Sequence, residues 1–250
     1  MTAIEVPAGF TLHILEETSS TNDDCLAMAD AGAPDGTVVV ASRQTAGRGR
    51  QGREWFSRPG ASLTFSVLLR PSAEEAANLS RFSLLGCSAL VDVLAQHYSL
   101  PGLIKWPNDV LVNGKKICGV LMEVLWQGQE PQAVVLGMGV NIAHDAFPPD
   151  VALRYPATSL EAEAGAAPQP LVLLEQLLPA LQETRKLLCT QDFIRAKNDQ
   201  LAFREEWVWL EESAKPPRQV RLLEIDPDGG LWVAEEDGRR TKVYAGELSG

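Results

Sequence analysis

The 250-residue sequence lacks any long hydrophobic run and any segment built like a secretory signal. No apolar stretch approaches the roughly 20 residues that a helix needs to cross a bilayer. The N-terminus does not combine a basic region with an apolar run and a small-residue cleavage site, so we expect a cytoplasmic protein without a membrane anchor. Histidine is also scarce, and the spacing of His13, His97 and His144 matches no metal-binding motif.

Cysteines are few and basic residues are outnumbered. Cys25, Cys87, Cys118 and Cys189 lie far apart, so we expect neither a zinc motif nor a disulfide framework. Their apolar neighbours favour buried thiols in a reducing compartment. The 33 acidic residues exceed the 22 basic ones, giving a formal net charge of -11. Broad binding of nucleic acid needs positive charge, so this balance argues against it but allows a local basic pocket.

One short segment concentrates glycine and positive charge. Residues 42–55 read Ser-Arg-Gln-Thr-Ala-Gly-Arg-Gly-Arg-Gln-Gly-Arg-Glu-Trp. Glycine is costly inside a helix or strand, so the segment is predicted to be a loop whose backbone can approach a ligand closely. The planar forks of its arginines suit phosphate or carboxylate. An ordinary solvated loop would have a similar composition, so composition alone leaves both interpretations open.

Periodicity and turn residues predict a mixed α+β domain at residues 1–202. Ser72 with Glu75 forms a capping box, which predicts one long helix running to about His97. Asn113-Gly114 between apolar runs predicts a hairpin. Predicted strands lie at 11–16, 38–40, 62–69, 103–106, 110–117 (the hairpin), 119–125 and 133–140. Three further helices are predicted: one that begins after Ser19–Asp24 and ends at Gly32, one at 171–188 and one at 193–200. Residues 141–170 are predicted to be largely irregular.

The pattern changes after about Ala202. Short apolar runs at 207–210, 220–225, 231–233 and 242–244 alternate with turn segments at 226–230 and 236–238. Strands this short with tight turns favour a small barrel of the SH3-like kind, at residues 203–250.

We call residues 42–55 the arginine loop. Four further motifs accompany it: Ser20-Thr21-Asn22, Lys105-Trp106-Pro107-Asn108-Asp109, Lys116-Ile117-Cys118-Gly119 and Gly137-Met138-Gly139-Val140-Asn141-Ile142. Together they resemble the catalytic domain of biotin protein ligases, from about Leu12 to the C-terminus. The resemblance implies a mixed sheet flanked by helices, like that of class II aminoacyl-tRNA synthetases, with a C-terminal SH3-like barrel. It also implies an enzyme that activates biotin with MgATP as biotinyl-5'-AMP and transfers it to a lysine of a biotin carboxyl carrier protein.

The resemblance carries functional roles onto individual residues. It implies that Lys116, Arg48 and Arg50 are catalytic, and that Asp109 contacts magnesium directly or through water. The implied biotin-binding residues are Ser20, Thr21, Asn22, Gln44, Gly47, Arg48, Gly49, Arg50, Lys116 and Gly119. The implied ATP-binding residues are Arg50, Arg53, Trp55, Lys105, Asn108 and Asn141.

The residues also allow plainer interpretations. Ser20, Thr21 and Asn22 have the composition of a helix N-cap. Lys116 follows a tight turn, where a lysine is usually solvated, and Trp106 has the character of a core residue. Both a structural and a functional role can hold at Ser20–Asn22, because helix N-termini present donors to ligands.

Two other functions compete with the biotin ligase. A lipoate or octanoate ligase shares the fold, but its usual arginine–arginine–glycine signature is not found in this sequence. A non-catalytic biotin-binding protein is disfavoured by the joint presence of Arg48, Arg50, Lys105, Lys116 and Asn141. About ten residues precede Leu12, too few for a helix-turn-helix, so DNA binding is not expected. The sequence leaves open whether the protein is a monomer or a homodimer.

Overall fold

The computed structural model describes residues 4–147, 155–213 and 215–249. Its helices are α1 Thr21–Asp30, α2 Ala73–Ala76, α3 Arg81–Tyr98, α4 Leu160–Ala164, α5 Pro170–Leu187 and α6 Gln191–Asp199. Its strands are β1 Thr11–Thr18, β2 Thr37–Gln44, β3 Ser62–Leu69, β4 Gly102–Lys105, β5 Asp109–Val112, β6 Lys115–Gln127, β7 Glu130–Asn141, β8 Trp207–Glu211, β9 Arg218–Ile225, β10 Leu231–Ala234, β11 Arg240–Val243 and β12 Glu247–Ser249.

The first seven strands form one mixed sheet in the order β1-β2-β3-β7-β6-β5-β4. β1 pairs with β2 in parallel, and every other pairing in this sheet is antiparallel. Successive residues of β2 point to opposite faces, so Val38 and Val40 join the main core with α3 and α5, whereas Val39 packs in a smaller cluster with α1. One face is therefore covered by the long helices, and the other carries α1 and an open cleft.

The last five strands form a separate antiparallel sheet in the order β11-β10-β9-β8-β12. Its 226–230 turn is anchored to the start of α3 and to Trp106 by three hydrogen bonds. Trp106 Nε1 donates to the Gly229 carbonyl at 3.0 Å, and Arg81 Nε donates to the Pro227 carbonyl at 2.8 Å. Ser80 Oγ donates to the Asp228 carbonyl at 2.6 Å. The second sheet is thus joined directly to the Lys105–Asp109 motif.

The mixed α+β architecture and the C-terminal antiparallel sheet confirm the coarse prediction. The hairpin is also confirmed, since Asn113 and Gly114 have φ values of 49° and 72°, the left-handed pair that this turn requires. β12 was not predicted, because three residues near the chain end carry no clear strand pattern. Tyr244 lies outside β11, which ends at Val243.

The prediction of one helix from Ser72 to His97 is wrong. The capping box between Ser72 and Glu75 does form, but its helix ends at Ala76. Asn78 Nδ2 donates to the Glu74 carbonyl, and the backbone of Asn78 then turns to accept a bond from the Arg81 amide. α3 begins at this turn, where the buried Arg81 side chain reaches other segments of the chain.

The region predicted to be irregular contains α4, and its residues 148–154 lie outside the described part of the chain. Within the described residues, no helix combines the length and the apolar character needed to span a membrane.

Candidate active site

One row of paired residues crosses the first sheet and brings distant motifs together. Thr64 of β3 pairs with Gly139 of β7, which pairs with Gly119 of β6. Gly119 pairs with Asp109 of β5, which pairs with Lys105 of β4. Residues opposite each other in antiparallel strands point to the same face, so this row lies on the cleft face. The sheet register therefore assembles the Lys105–Asp109, Lys116–Gly119 and Gly137–Asn141 motifs.

A hydrogen-bonded pocket lies at one end of the cleft. We call Thr21, Asn22, Gln44, Ser66 and Glu123 the amide pocket. Gln44 Oε1 accepts from the Thr21 backbone N–H at 2.8 Å and from Thr21 Oγ1 at 3.0 Å. Ser66 Oγ lies 2.6 Å from Asn22 Oδ1, and Asn22 Nδ2 donates to Glu123 Oε2 at 2.6 Å. These bonds fix the orientation of both amide side chains.

The same contacts decide how α1 begins. Ser20 occupies the N-cap position with an extended backbone, but its side chain makes no capping hydrogen bond. Gln44, a residue of β2, instead accepts the first amide of the helix. Ser20 is nevertheless buried and lines the cleft with Thr21 and Asn22, so the segment faces the site as well as opening the helix.

Arg48 is bound to two carboxylates beside this pocket. Its guanidinium donates to both carboxylate oxygens of Asp23 at 2.6 and 2.7 Å and lies 3.1 Å from Glu123 Oε2. The hydrogen bond with Asp23 raises the pKa of Arg48, and the same bond lowers the pKa of Asp23. Asp23, Glu123 and Ser66 were not among the predicted site residues, because only the tertiary contacts reveal their roles.

The other end of the cleft is charged. We call Arg53, Lys105, Asp109, Lys116 and Glu247 the lysine cluster. Lys116 Nζ lies 2.7 Å from Asp109 Oδ1, and Lys105 Nζ lies 3.6 Å from Asp109 Oδ2. Lys105 is only 3% exposed, and its burial lowers its pKa, although Asp109 and Glu247 partly offset that effect. Lys116 is therefore an ion-paired residue rather than a freely solvated turn residue.

The second sheet contributes to this cluster. Glu247 of β12 forms an ion pair with Arg53 at 3.1 Å and lies 4.0 Å from Lys105 Nζ. Tyr155 adds an aromatic wall, with its ring centroid 4.2 Å from Lys105 Nζ. Neither Glu247 nor Tyr155 was predicted from the sequence, since each lies in a segment without a recognisable motif.

Trp55 lies on the glycines of the sheet. A side chain at Gly139 would overlap its indole ring, and a Cβ at Gly119 would lie 3.3 Å from Cζ3 of that ring. Lys116 Nζ lies 5.8 Å from the ring centroid, and the Trp55 amide donates to the Gly47 carbonyl at 2.8 Å. Within the described residues, the buried indole N–H of Trp55 has no hydrogen-bond partner.

The arginine loop is tied to the site by its backbone and by Arg50. The Gly49 amide donates to the Arg53 carbonyl at 2.7 Å, across a single 3-10 turn at Arg50–Gly52. Arg50 Nη1 donates to Asn108 Oδ1 at 3.1 Å, and Asn108 Nδ2 donates to the Val120 carbonyl at 2.7 Å. The loop thus contacts the Lys105–Asp109 motif directly.

Every predicted site residue lines at least one of two adjoining cavities. The inner cavity has a volume of about 100 Å³, holds the amide pocket's Thr21, Asn22 and Gln44, and is bounded by the arginine loop. The outer cavity has a volume of about 980 Å³ and is lined by Lys105, Asn141 and the β12 residues Glu247–Ser249. Trp55 and Lys116 line both. Asn141 Nδ2 donates to the Thr158 carbonyl at 3.0 Å, which leaves its carbonyl oxygen for another partner.

No cluster of three or more histidine, cysteine, aspartate or glutamate side chains suited to a metal ion occurs among the described residues. Asp109 supplies one carboxylate, and both of its oxygens already face lysine ammonium groups.

Residues 14–141 match the model of the biotin/lipoate A/B protein ligase family, and the chain belongs to that family. The chain is 36% identical over 195 residues to a biotin–[acetyl-CoA-carboxylase] ligase of Paracoccus denitrificans, an alignment that covers 76% of this chain and 79% of the relative. It is 34% identical over 234 residues to the bifunctional ligase/repressor BirA of Bacillus spizizenii, an alignment that covers 92% of this chain and 71% of the relative.

The fold is similar to that of solved biotin ligases. The biotin protein ligase of Aquifex aeolicus, solved in complex with biotin and ATP, superposes with a TM-score of 0.80 at 29% identity. That superposition covers 96% of this chain and 97% of the other, so the similarity includes the C-terminal sheet.

Proposed function

We propose that the protein is an ATP-dependent biotin ligase, which forms biotinyl-5'-AMP and then transfers biotin to a lysine of a biotin carboxyl carrier protein. The observation that carries the proposal is a single cleft with two chemically different ends. Fixed amide and hydroxyl groups lie at one end, and two lysines and two arginines, Arg50 and Arg53, lie at the other. The names of the relatives support the same reaction.

The amide pocket suits the uncharged ureido ring of biotin. A ureido group needs donors for its oxygen and acceptors for its two N–H groups, and the hydroxyls and amides of Ser20, Thr21, Asn22 and Gln44 can supply both. Gly137 lies against Asn22, where a larger residue would collide with the amide. Gly47, Arg48 and Gly49 would complete this wall from the loop.

The lysine cluster suits the activation step. A carboxylate oxygen must attack the α-phosphate of ATP, and the two anions repel each other until fixed cations compensate their charge. Lys116 stands where the cleft's two cavities meet, so we assign it to the reacting carboxylate and phosphate. Lys105, Arg50 and Arg53 would hold the other phosphate oxygens, with Asn108 orienting Arg50.

Trp55 and Asn141 are proposed to bind the adenine. The Trp55 ring offers an aromatic face, and stacking of a base on such a face contributes roughly 1–3 kcal/mol. The inner cavity of about 100 Å³ is too small for a bicyclic ligand, since small-molecule pockets usually measure about 300–1,000 Å³. We therefore propose that Trp55 leaves the glycines of the sheet when biotin enters.

Magnesium would enter with the triphosphate rather than bind a preformed cage. Magnesium is commonly held by one or two carboxylates together with substrate phosphates. Asp109 fits that role as a single carboxylate, directly or through water, once anionic substrate draws Lys105 and Lys116 away from it. The metal would add positive charge at the phosphates, while the chain's own lysines and arginines position the reacting groups.

The second step needs a protein lysine at the cleft. Its amine nitrogen would form an amide bond to the acyl carbon of biotin, while the bond from that carbon to the phosphate oxygen breaks and AMP leaves. The acceptor is proposed to be the carrier domain of a carboxylase, as the names of the relatives suggest.

The proposal extends to the fold lineage, the cellular location and the partners of the protein. The strand order and short turns of the C-terminal sheet support an SH3-like barrel, and the first domain is proposed to belong to the class II aminoacyl-tRNA synthetase lineage. Four free cysteines support a reducing, cytoplasmic location. The net charge of -11 favours a protein that does not bind DNA. A monomer and a homodimer are both compatible with these features.

The decisive experiment is exchange of labelled pyrophosphate into ATP. Exchange should require biotin and magnesium, because reversal of adenylation occurs only when the acyl-adenylate forms. Lipoate and octanoate should support exchange only near background, since neither carries a ureido group for the amide pocket. Equal exchange with lipoate would reassign the protein to the other branch of its family, and no exchange with any acid would support a non-catalytic binding protein.

A further inference from the structure

Two large aromatic side chains are exposed together on the C-terminal sheet. Trp207 and Trp209 are 50% and 45% exposed, whereas Val208 and Leu210 between and beside them are buried. The alternation places both tryptophans on the outer face of β8. Single exposed apolar residues are ordinary, but neighbouring large ones mark a candidate interaction surface.

Strand register joins this surface to the candidate active site. Trp209 pairs with Ser249 of β12, and Glu211, two residues farther along β8, pairs with Glu247. Residues opposite each other share a face, and both Glu247 and Ser249 line the outer cavity. Trp209 therefore shares its face with two β12 residues that line the cavity in which biotin would be activated, and Trp207 lies two residues farther along the same face of β8.

The other residues of this face come from β9. Gln219 pairs with Trp209, and Arg221 pairs with Trp207. Both are exposed, and Arg221 lies 3.7 Å from Glu205 in an ion pair. We call Trp207, Trp209, Gln219 and Arg221 the tryptophan face. Aromatic anchors within a polar rim are the usual make-up of a protein–protein interface.

We propose that the tryptophan face is the docking surface for the carrier domain that brings the acceptor lysine. This inference rests on the proposed ligase function and adds the surface that positions its protein substrate. A lysine side chain is short compared with a protein domain, so the body of the acceptor must lie on the rim while its amine enters the cavity. The tryptophan face lies next to the β12 residues that line the cavity, because Trp209 pairs with Ser249.

The charges around the face favour a protein over a membrane or a nucleic acid. The groove beside Trp207 has a volume of about 520 Å³ and is lined by Arg204, Arg221 and Arg240 together with Glu205, Glu224, Glu235 and Glu236. Anionic lipids and phosphate backbones bind to clusters of uncompensated positive charge, which this mixture does not provide. A second copy of the chain could also cover this face, and sedimentation of the variant distinguishes self-association from docking of the carrier domain.

The test compares the two half-reactions in the full chain carrying Trp207→Ala and Trp209→Ala. Biotin-dependent pyrophosphate exchange should stay within about twofold of wild type, as should release of biotin to hydroxylamine, a small nucleophile that needs no docking. Transfer to the apo carrier domain of an acetyl-CoA carboxylase should lose at least about tenfold in kcat/KM, mainly through KM, because large aromatic anchors dominate interface energies.

Trp126→Ala is the matched control, since Trp126 is 53% exposed and lies at the end of β6, next to the turn that leads to β7. It should leave the KM for the carrier domain unchanged. The conservative pair Trp207→Phe with Trp209→Phe should recover most of the affinity and also guards against loss of folding in the alanine variant.

Unchanged carrier KM in the double alanine variant would overturn the docking proposal while leaving the ligase assignment intact. Loss of pyrophosphate exchange would overturn it too, because the tryptophans would then serve adenylation or the fold. Conversion of a dimer to a monomer in sedimentation, with carrier KM unchanged, would assign the face to self-association instead. Wild-type protein without biotin-dependent exchange would reject the ligase function itself.

Discussion

The two ends of the cleft achieve order by different means. In the amide pocket, hydroxyl and amide groups hold one another through hydrogen bonds, and the carboxylate of Glu123 fixes the orientation of Asn22. In the lysine cluster, ammonium groups are held by carboxylates, and Asp109 lies between Lys105 and Lys116. The first end comes from the first sheet and α1, whereas the second also uses Glu247 from the C-terminal sheet.

This difference indicates how each end would meet its ligand. A neutral ring would join the amide pocket without displacing an ion pair, once Trp55 leaves the glycines of the sheet to make room for it. Anionic substrates must compete with Asp109 and Glu247 for the cations, so binding there exchanges one set of ion pairs for another. The following predictions test this contrast, in order of decreasing effect.

The largest effect is expected for Lys116→Ala. The change removes a fixed cation from the place where the reacting carboxylate and phosphate meet, and loss of one such group typically lowers the rate by about 10²–10³. Single-turnover formation of biotinyl-5'-AMP measures this step. Lys115→Ala is the control, since Lys115 is the exposed neighbour in the same hairpin. Adenylation at the wild-type rate in Lys116→Ala, with normal folding, would show that Lys116 only compensates Asp109.

Arg50→Gly should release the adenylate prematurely. The change removes the hydrogen bond to Asn108 and adds flexibility to the loop. Hydrogen bonds to charged groups contribute about 1.5–3 kcal/mol, which corresponds to roughly 10- to 100-fold faster escape. Streptavidin blots of serum albumin incubated with enzyme, biotin and MgATP measure that escape.

Gln51→Gly is the matched control for this variant. It adds a glycine to the same turn without removing an arginine, and Gln51 already has a φ of 59°. Its albumin labelling should remain near wild type. If Arg50→Gly forms adenylate but labels no more albumin than wild type does, Arg50 has no role in retaining the intermediate.

Glu123→Gln should weaken the amide pocket selectively. Glutamine keeps an acceptor for Asn22 but presents no negative charge to Arg48. We expect the KM for biotin to rise about fivefold, the equivalent of roughly 1 kcal/mol, while the KM for ATP changes little. Pyrophosphate exchange with each substrate varied in turn gives both constants. Glu130→Gln, an exposed change on the same hairpin, is the control, and equal rises in both constants would contradict independence of the two ends.

The smallest effect is expected for Trp106→Phe. Phenylalanine fills most of the same core space but cannot donate to the Gly229 carbonyl, and a buried hydrogen bond of this kind contributes about 1 kcal/mol. Urea unfolding should show that loss, and a small rise in the KM for ATP should accompany it, because the bond joins the C-terminal sheet to the chain beside Lys105. Trp126→Phe should change neither measurement.

The local parts of this molecule could be predicted because their causes are local. Asn113-Gly114 specifies its turn through backbone conformations that only a few residues tolerate. The glycines of the arginine loop disfavour a helix or strand there, so the segment could be predicted to be a loop. The break between α2 and α3 could not be predicted, since the capping box reports where a helix begins but not where it ends, and the turn at Asn78 separates the two helices.

The motifs by themselves determined the family, and they identified residues that prove to line one pair of adjoining cavities. Only the tertiary structure decided which groups stand beside them. Glu123 lies about a hundred positions from Asn22, and Glu247 lies still farther from Lys105, yet each completes a site. Such partners depend on strand register and on the packing of two sheets, which are set by contacts summed over the whole chain. A short sequence pattern records the chemistry of its own residues, whereas their ion pairs and burial belong to the fold.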